Sequence, residues 1–161
     1  MNLLDRLLNH DRTTTAQLLA LALPLADEHL DREFDLGLRT LRTTLDHTVR
    51  NVEVWTAIMR GDGVPERIER PNIGSLIERF ETAYDSFADL AQHIETRNEW
   101  DETWLDILED PPVERTFGGT IAHVITHSMH HRTQILFMLR RLGVEGVPEG
   151  DALSCEEGAG A

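Results

Sequence analysis

The sequence predicts an all-α fold, a four-helix bundle with a long crossover between its third and fourth helices. Three observations carry that expectation. Apolar residues recur at spacings of three and four in four separate stretches, as they do in helices that bury one face. The chain has 161 residues, which makes one domain at roughly 100–200 residues per domain; a chain of about 150 residues removes about 70% of its unfolded surface from water. Between Thr96 and Gly119 the helical period is lost, and connections that long are uncommon in compact domains unless they are ordered for a purpose.

The first helix is expected from Asp11, a suitable N-cap, through Ala16, Leu19, Ala20 and Leu23, with Pro24 stopping it. A polar connection from Asp27 to Gly37 follows. The second helix places Leu38, Leu41, Leu45, Thr48, Val52, Trp55 and Met59 on one stripe, and Gly61-Asp62-Gly63 ends it as a C-terminal glycine does. The third opens after Pro71, with Asn72 or Ser75 as cap, and carries Ile73, Leu76, Ile77, Phe80, Tyr84, Phe87, Leu90, Ala91 and Ile94. The crossover, punctuated by Pro111-Pro112 and Gly118-Gly119, is expected to cover the bundle with a short strand at Trp104 to Leu108. The fourth helix starts at Thr120, keeps Ile121, Val124, Ile135, Leu139 and Leu142 on one face, and stops at Gly143. Residues 1–143 therefore form the bundle domain, and residues 144–161, rich in Gly and Glu, read as a flexible acidic tail.

Charge narrows the partners. All 15 basic residues are arginine against 29 acidic ones, a net charge of −14. A field of that sign repels phosphate backbones and anionic lipid, so neither nucleic acid nor membrane is expected as a partner. The longest apolar stretch, Leu18 to Ala26, contains Pro24 and is far short of the ~20 residues that span a bilayer. Asp5, Arg6 and Asp11 break up the leucines of the N-terminus, which carries no signal-peptide pattern. With a single cysteine, Cys155, a reducing compartment follows and a cytoplasmic location is expected; Cys155 itself is assigned no role.

Four of the eight histidines lie between His123 and His131. Residues four apart on a helix lie one turn above each other, so both His123 with His127 and His127 with His131 could converge on one ion. Helical angles favour the second pair, since the apolar stripe centres near Ile135 and Val124, with His131 at its edge and His127 one step outward. The same pair is also compatible with two solvent-edge imidazoles. A third ligand is best sought at His47, midway along the second helix at the flank of its stripe; His10, His29 and His93 are poorer candidates. No cysteine lies in a helix, and imidazole ligation favours zinc, nickel, iron or copper over magnesium or calcium.

Two stretches of the chain carry a family resemblance. Leu41-Arg42-Thr43-Thr44-Leu45-Asp46-His47 with Trp55 beyond it, and Ile121-Ala122-His123-Val124-Ile125-Thr126-His127-Ser128-Met129-His130-His131-Arg132-Thr133-Gln134, resemble the two signature regions of the DinB family of metalloenzymes. A looser match covers residues 10–143. The resemblance implies an up-down-down-up bundle, frequently a homodimer, with metal ligands at His47, His127 and His131. Branches that use mycothiol carry Glu where this chain has His127, so the sequence is closer to the three-histidine branch that includes bacillithiol transferases. Thr133 departs from the family's usual Gly and adds bulk where helices approach. Arg132 and Gln134 belong to the pattern and are read as structural or dimer-contacting.

Three neutral imidazoles leave a divalent ion its full charge, which acidifies a water molecule or holds a thiol as thiolate. The resemblance favours thiol-dependent transfer, from a low-molecular-weight thiol cosubstrate to a small electrophile. Metal-dependent hydrolysis of a small substrate and a non-catalytic metal-binding stress-response role are the alternatives. Zinc is the expected metal, with nickel, iron or manganese next. His123, one turn from His127, is compatible equally with a donor or proton relay behind His127 and with a plain surface position, and Asp46 is expected as a solvated charge rather than a general base. Trp55, Trp100, Trp104 and Phe117 are core residues first and pocket walls second.

Overall fold

The structure, a computed structural model, describes residues 1–154. Helix α1, Leu3–Ala22, begins well upstream of Asp11. The cause is a capping box: the Asn2 side chain accepts from the Asp5 N–H at 2.9 Å and the Asp5 carboxylate accepts from the Asn2 N–H at 3.0 Å, which satisfies donors that every helix start leaves orphaned. Asp11 sits inside α1 and is 1% exposed. The connection expected to be irregular contains one helical turn, α2 at Asp27–Leu30, seated by buried Leu30.

Helix α3, Leu41–Arg60, is capped by Thr40, so Leu38 lies outside it; Gly61 ends it at φ 82°. Helix α4, Ile73–Arg97, takes Asn72 as its cap rather than Ser75, with the Asn72 Oδ1 accepting from the Ser75 N–H at 2.8 Å. After α4 the chain forms a hairpin of two antiparallel strands, β1 at Thr103–Asp106 and β2 at Val113–Thr116. The sequence reading anticipated the first strand only. The second strand is short and polar, and it is held by Arg115, whose Nε donates to the buried Asp106 carboxylate at 2.5 Å. Helix α5, Phe117–Arg141, begins three residues before the expected Thr120 because Thr116 caps it.

Side-chain pairs across the helices fix their directions. Arg79 of α4 meets Asp46 and Glu53 of α3, and Arg60 farther along α3 reaches the Ser86 carbonyl farther along α4, so these two run parallel. Asn2 meets Glu95, Tyr84 donates to the Leu8 carbonyl and Arg12 pairs with Glu81, which makes α1 and α4 antiparallel. His47 faces His127 while Trp55 faces His123, which makes α3 and α5 antiparallel. The order is up-down-down-up, with α1 and α3 each packed on both α4 and α5. Parallel neighbours oblige the chain to travel back along a 20-residue helix, ~30 Å at 1.5 Å per residue, and residues 61–72 do this without forming a helix or strand.

The core is a single cluster to which all four long helices contribute: Leu18 and Leu19 from α1, Leu45, Val49 and Val52 from α3, Phe80, Tyr84 and Phe87 from α4, Ile135, Met138 and Leu139 from α5. Beyond α5 the chain turns back. Val144 and Val147 pack against the core, Arg140 donates to the Pro148 carbonyl at 2.9 Å, and His10 Nε2 lies 3.2 Å from the Gly150 carbonyl. Part of the segment expected as a tail therefore lies on the bundle; Cys155 and the rest of it lie outside the described residues. Thr133 is exposed and its hydroxyl donates to the Met129 carbonyl at 3.1 Å, so its bulk meets no neighbouring helix among the described residues.

Candidate metal centre

Residues four apart share a helix face, and antiparallel packing turns two such faces into a ladder. His47, Asn51 and Trp55 of α3 stand opposite His131, His127, Ser128 and His123 of α5. At one end the His47 ring centroid lies 4.5 Å from that of His131 and 5.2 Å from that of His127. In the middle the Asn51 amide donates to the Val124 carbonyl and the Ser128 hydroxyl, both at 3.1 Å. At the other end Trp55 and His123 meet edge to face, centroids 5.2 Å apart. Asn51 was missed in the sequence, although its place one turn after His47 on the buried face was a usable signal.

The cluster converges on nitrogen. His47 Nε2 stands 2.9 Å from His127 Nε2, and His131 Nε2 stands 3.1 Å from the same atom. Ligand atoms of the three lie within 4.8 Å of one another. Nitrogens bound to zinc at ~2.0–2.1 Å in a tetrahedral set stand roughly 3.3–3.4 Å apart, so a small relaxation of these rings fits one ion. Orientation is also right. The Gln134 Oε1 accepts from His131 Nδ1 at 2.9 Å, which leaves the Nε2 lone pair of that ring directed at its neighbours, the arrangement metal-binding histidines use.

Burial and mutual repulsion keep the three rings neutral. His127 is pushed down to about 4, first by burial and then by His131, His47, His123 and His130. His47 is lowered by burial and by His131, against a raising influence from Asp46, and His131 is lowered mainly by burial, against the Gln134 bond. Protons therefore compete poorly for these lone pairs. The unfolded chain, whose histidines titrate near the ordinary 6.5, binds more protons than the folded one, so stability rises with pH across that range. The stability of metal-free protein should be fully present above about pH 6.5 and fall between there and about pH 4, and His127→Gln should flatten the slope. Urea unfolding at a series of pH values checks this; a profile that climbs on acidification would contradict it.

The other expected residues divide. His123 is exposed and stacks on His127 with centroids 5.0 Å apart and planes 24° from parallel. His29 and His93 are exposed, and His10 lies apart from the cluster at the Gly150 carbonyl. Asp46 is a correction: it is 8% exposed rather than solvated, and it faces Arg79, which also grips Glu53 at 2.6 and 2.8 Å. Its carboxylate is paired with a cation of α4, which leaves it committed to an ion pair rather than free as a base. Arg132 is buried against Asp11 of α1, which explains why an aspartate lies inside that helix. A cavity of about 520 Å³ adjoins the cluster through His123; its walls include Trp55, Thr120, Glu109, Glu114 and Arg115. Trp104 lies behind Trp55, with its Nε1 donating to the Thr120 hydroxyl at 3.1 Å; Trp100 and Phe117 pack on the core.

A family model described as the DinB family matches residues 1–159. The chain belongs to the DinB family. No curated protein matches it. Membership and the geometry agree on a metal-binding protein: in this DinB-family chain the three imidazoles could hold a divalent ion. Among the described residues no helix is long and apolar enough to cross a membrane.

Proposed function

We propose that this chain is a metal-dependent enzyme that transfers a low-molecular-weight thiol to a small electrophile. One observation carries the reading: three neutral imidazole nitrogens from α3 and α5 meet within bonding reach of one ion. Imidazole donors favour zinc, with nickel, iron or manganese as the other candidates. When bound by these three neutral imidazoles, with no anionic ligand beside them, an ion would keep its full charge and would supply the acidification that favours the thiolate form of a thiol at neutral pH. The chain's own residues supply the rest. Gln134 orients His131, Asn51 ties α3 to α5 between the rungs, and the cavity beside His123 offers Trp55 as an apolar wall with Arg115, Glu109 and Glu114 as polar groups. Its volume of about 520 Å³ lies in the range of small-molecule sites.

We further read the protein as a cytoplasmic homodimer acting on a small molecule, with no nucleic-acid or membrane partner. Its net charge of −14 supports the exclusions, and Met129 and Phe137, 51% and 47% exposed on α5, support a second subunit.

Metal analysis of reconstituted protein should find about one divalent ion per chain. Incubation with an alkylating electrophile and a panel of thiols should then show turnover that requires thiol and is lost with a chelator. Thiol-independent consumption would point to hydrolysis instead, and a metal-free wild type would end the enzymatic reading.

A further inference from the structure

Between α2 and α3 the chain makes a tight loop whose tip touches α5. Gly37 lies there with φ +47°, and a Cβ at that position would stand 2.5 Å from the Gln134 Oε1 and 2.7 Å from its Cδ and Nε2. The loop backbone thus bears on the end of one side chain. That side chain bonds His131 Nδ1 at 2.9 Å through its oxygen and lies 3.2 Å from His130 Nε2 through its amide nitrogen. The loop is fixed against α5 and α3. The Phe34 N–H donates to the Arg39 carbonyl at 2.7 Å and the Arg39 N–H to the Leu36 carbonyl at 2.9 Å. The Phe34 ring meets Phe137 of α5 edge-on at 6.5 Å, and Asp31 is held by Arg42 at 2.6 Å.

We propose that Gly37 is a positioning residue of the metal centre: by approaching without a side chain, the loop locks the Gln134 amide with its oxygen on His131. The proposal rests on the reading of the three imidazoles as ligands. The terminal torsion of glutamine is broad and roughly two-fold, so the side chain itself does not choose which end faces His131. The choice matters. Were the NH2 turned to Nδ1, that nitrogen would have to accept, the proton would move to Nε2, and the lone pair that faces His47 and His127 would be lost. Donation to His130 Nε2 selects one end, and the loop backbone stops the side chain swinging outward. A Cβ at position 37 has one inexpensive relief, rotation of the flexible Gln134 terminus, and that rotation breaks the His131 bond. Backbone strain at φ +47° adds a stability cost, but strain alone does not alter the ring.

A double-variant cycle separates these effects. Zinc affinity, read by competition with a chromogenic chelator, should fall about 10–100-fold in both Gly37→Ala and Gln134→Ala, the usual loss when the partner behind a ligand is removed. In the Gln134→Ala background, Gly37→Ala should cost almost nothing further, because the atoms it would strike are gone. In metal-free protein, the ¹⁵N shifts of the His131 ring should report the Nδ1–H form in wild type and a mixture of tautomers in both variants. Losses that multiply in the double variant would overturn the proposal, as would a Gly37→Ala protein with wild-type ring shifts and affinity within about threefold of wild type. If wild type takes no zinc, the reading of the imidazoles as ligands fails; unchanged ring shifts in Gly37→Ala with normal zinc binding defeat the loop's role alone.

Discussion

Arg132→Met should destabilise the metal-free protein by about 3–5 kcal/mol, the usual cost of stripping a buried charge of its partner. The Arg132 and Asp11 side chains are 3% and 1% exposed. Arg132 Nη1 donates to the Asp11 carboxylate, and the Asp11 carbonyl and Thr15 hydroxyl lie at 3.3 and 3.4 Å. Methionine keeps the length of the stem and deletes the cation, leaving a carboxylate where water does not reach. At roughly 2–4 °C per kcal/mol for a chain of this size, the melting temperature should drop by roughly 6–20 °C. Asp11→Leu with Arg132→Met should recover most of the loss, since a well-packed apolar pair often replaces a buried ion pair at little cost. A loss below about 1 kcal/mol in the single variant would show that this contact does not brace α1 against α5.

His131→Ala and His47→Ala should each weaken zinc binding by more than about 100-fold, beyond the loss expected from removing a partner behind a ligand. The two test different things. His131 lies on α5 beside His127, whereas His47 comes from α3, so its loss asks whether the ion needs both helices. His93→Ala, on the exposed face of α4, is the control that should keep about one ion per chain. Chelator competition and metal analysis check all three. Equal retention of metal in His47→Ala and His93→Ala would reduce the centre to a pair on one helix.

Much of this arrangement is legible in the amino-acid sequence, and the exceptions have physical causes. Apolar periodicity located the four long helices because each buries one face. It placed the start of α1 at Asp11, since aspartate favours caps, and only the distant Arg132 makes a buried aspartate tolerable at that position. The true start was written in Asn2 and Asp5, which show no apolar period of their own. Strand β2 gave no signal because Val-Glu-Arg-Thr lacks an alternating face and relies on Asp106 beneath it. Within the centre, the spacing of His127 and His131 was readable as one helix face. Position 47 joined them only through helical facing and family pattern, since the antiparallel register that brings α3 onto α5 is a tertiary fact. The solvation of Asp46 was misjudged for the same reason: its partner Arg79 is on another helix.

His47 and His127 are 80 residues apart in the chain. An ion shared between them would act as a removable cross-link, closing a long loop in the folded chain alone. Ligand held only by the native state adds about 2.7 kcal/mol at a hundredfold excess over its Kd. Heat tolerance would then follow the ambient supply of the cation, and depletion would soften the seam between α3 and α5 before the rest of the helical framework.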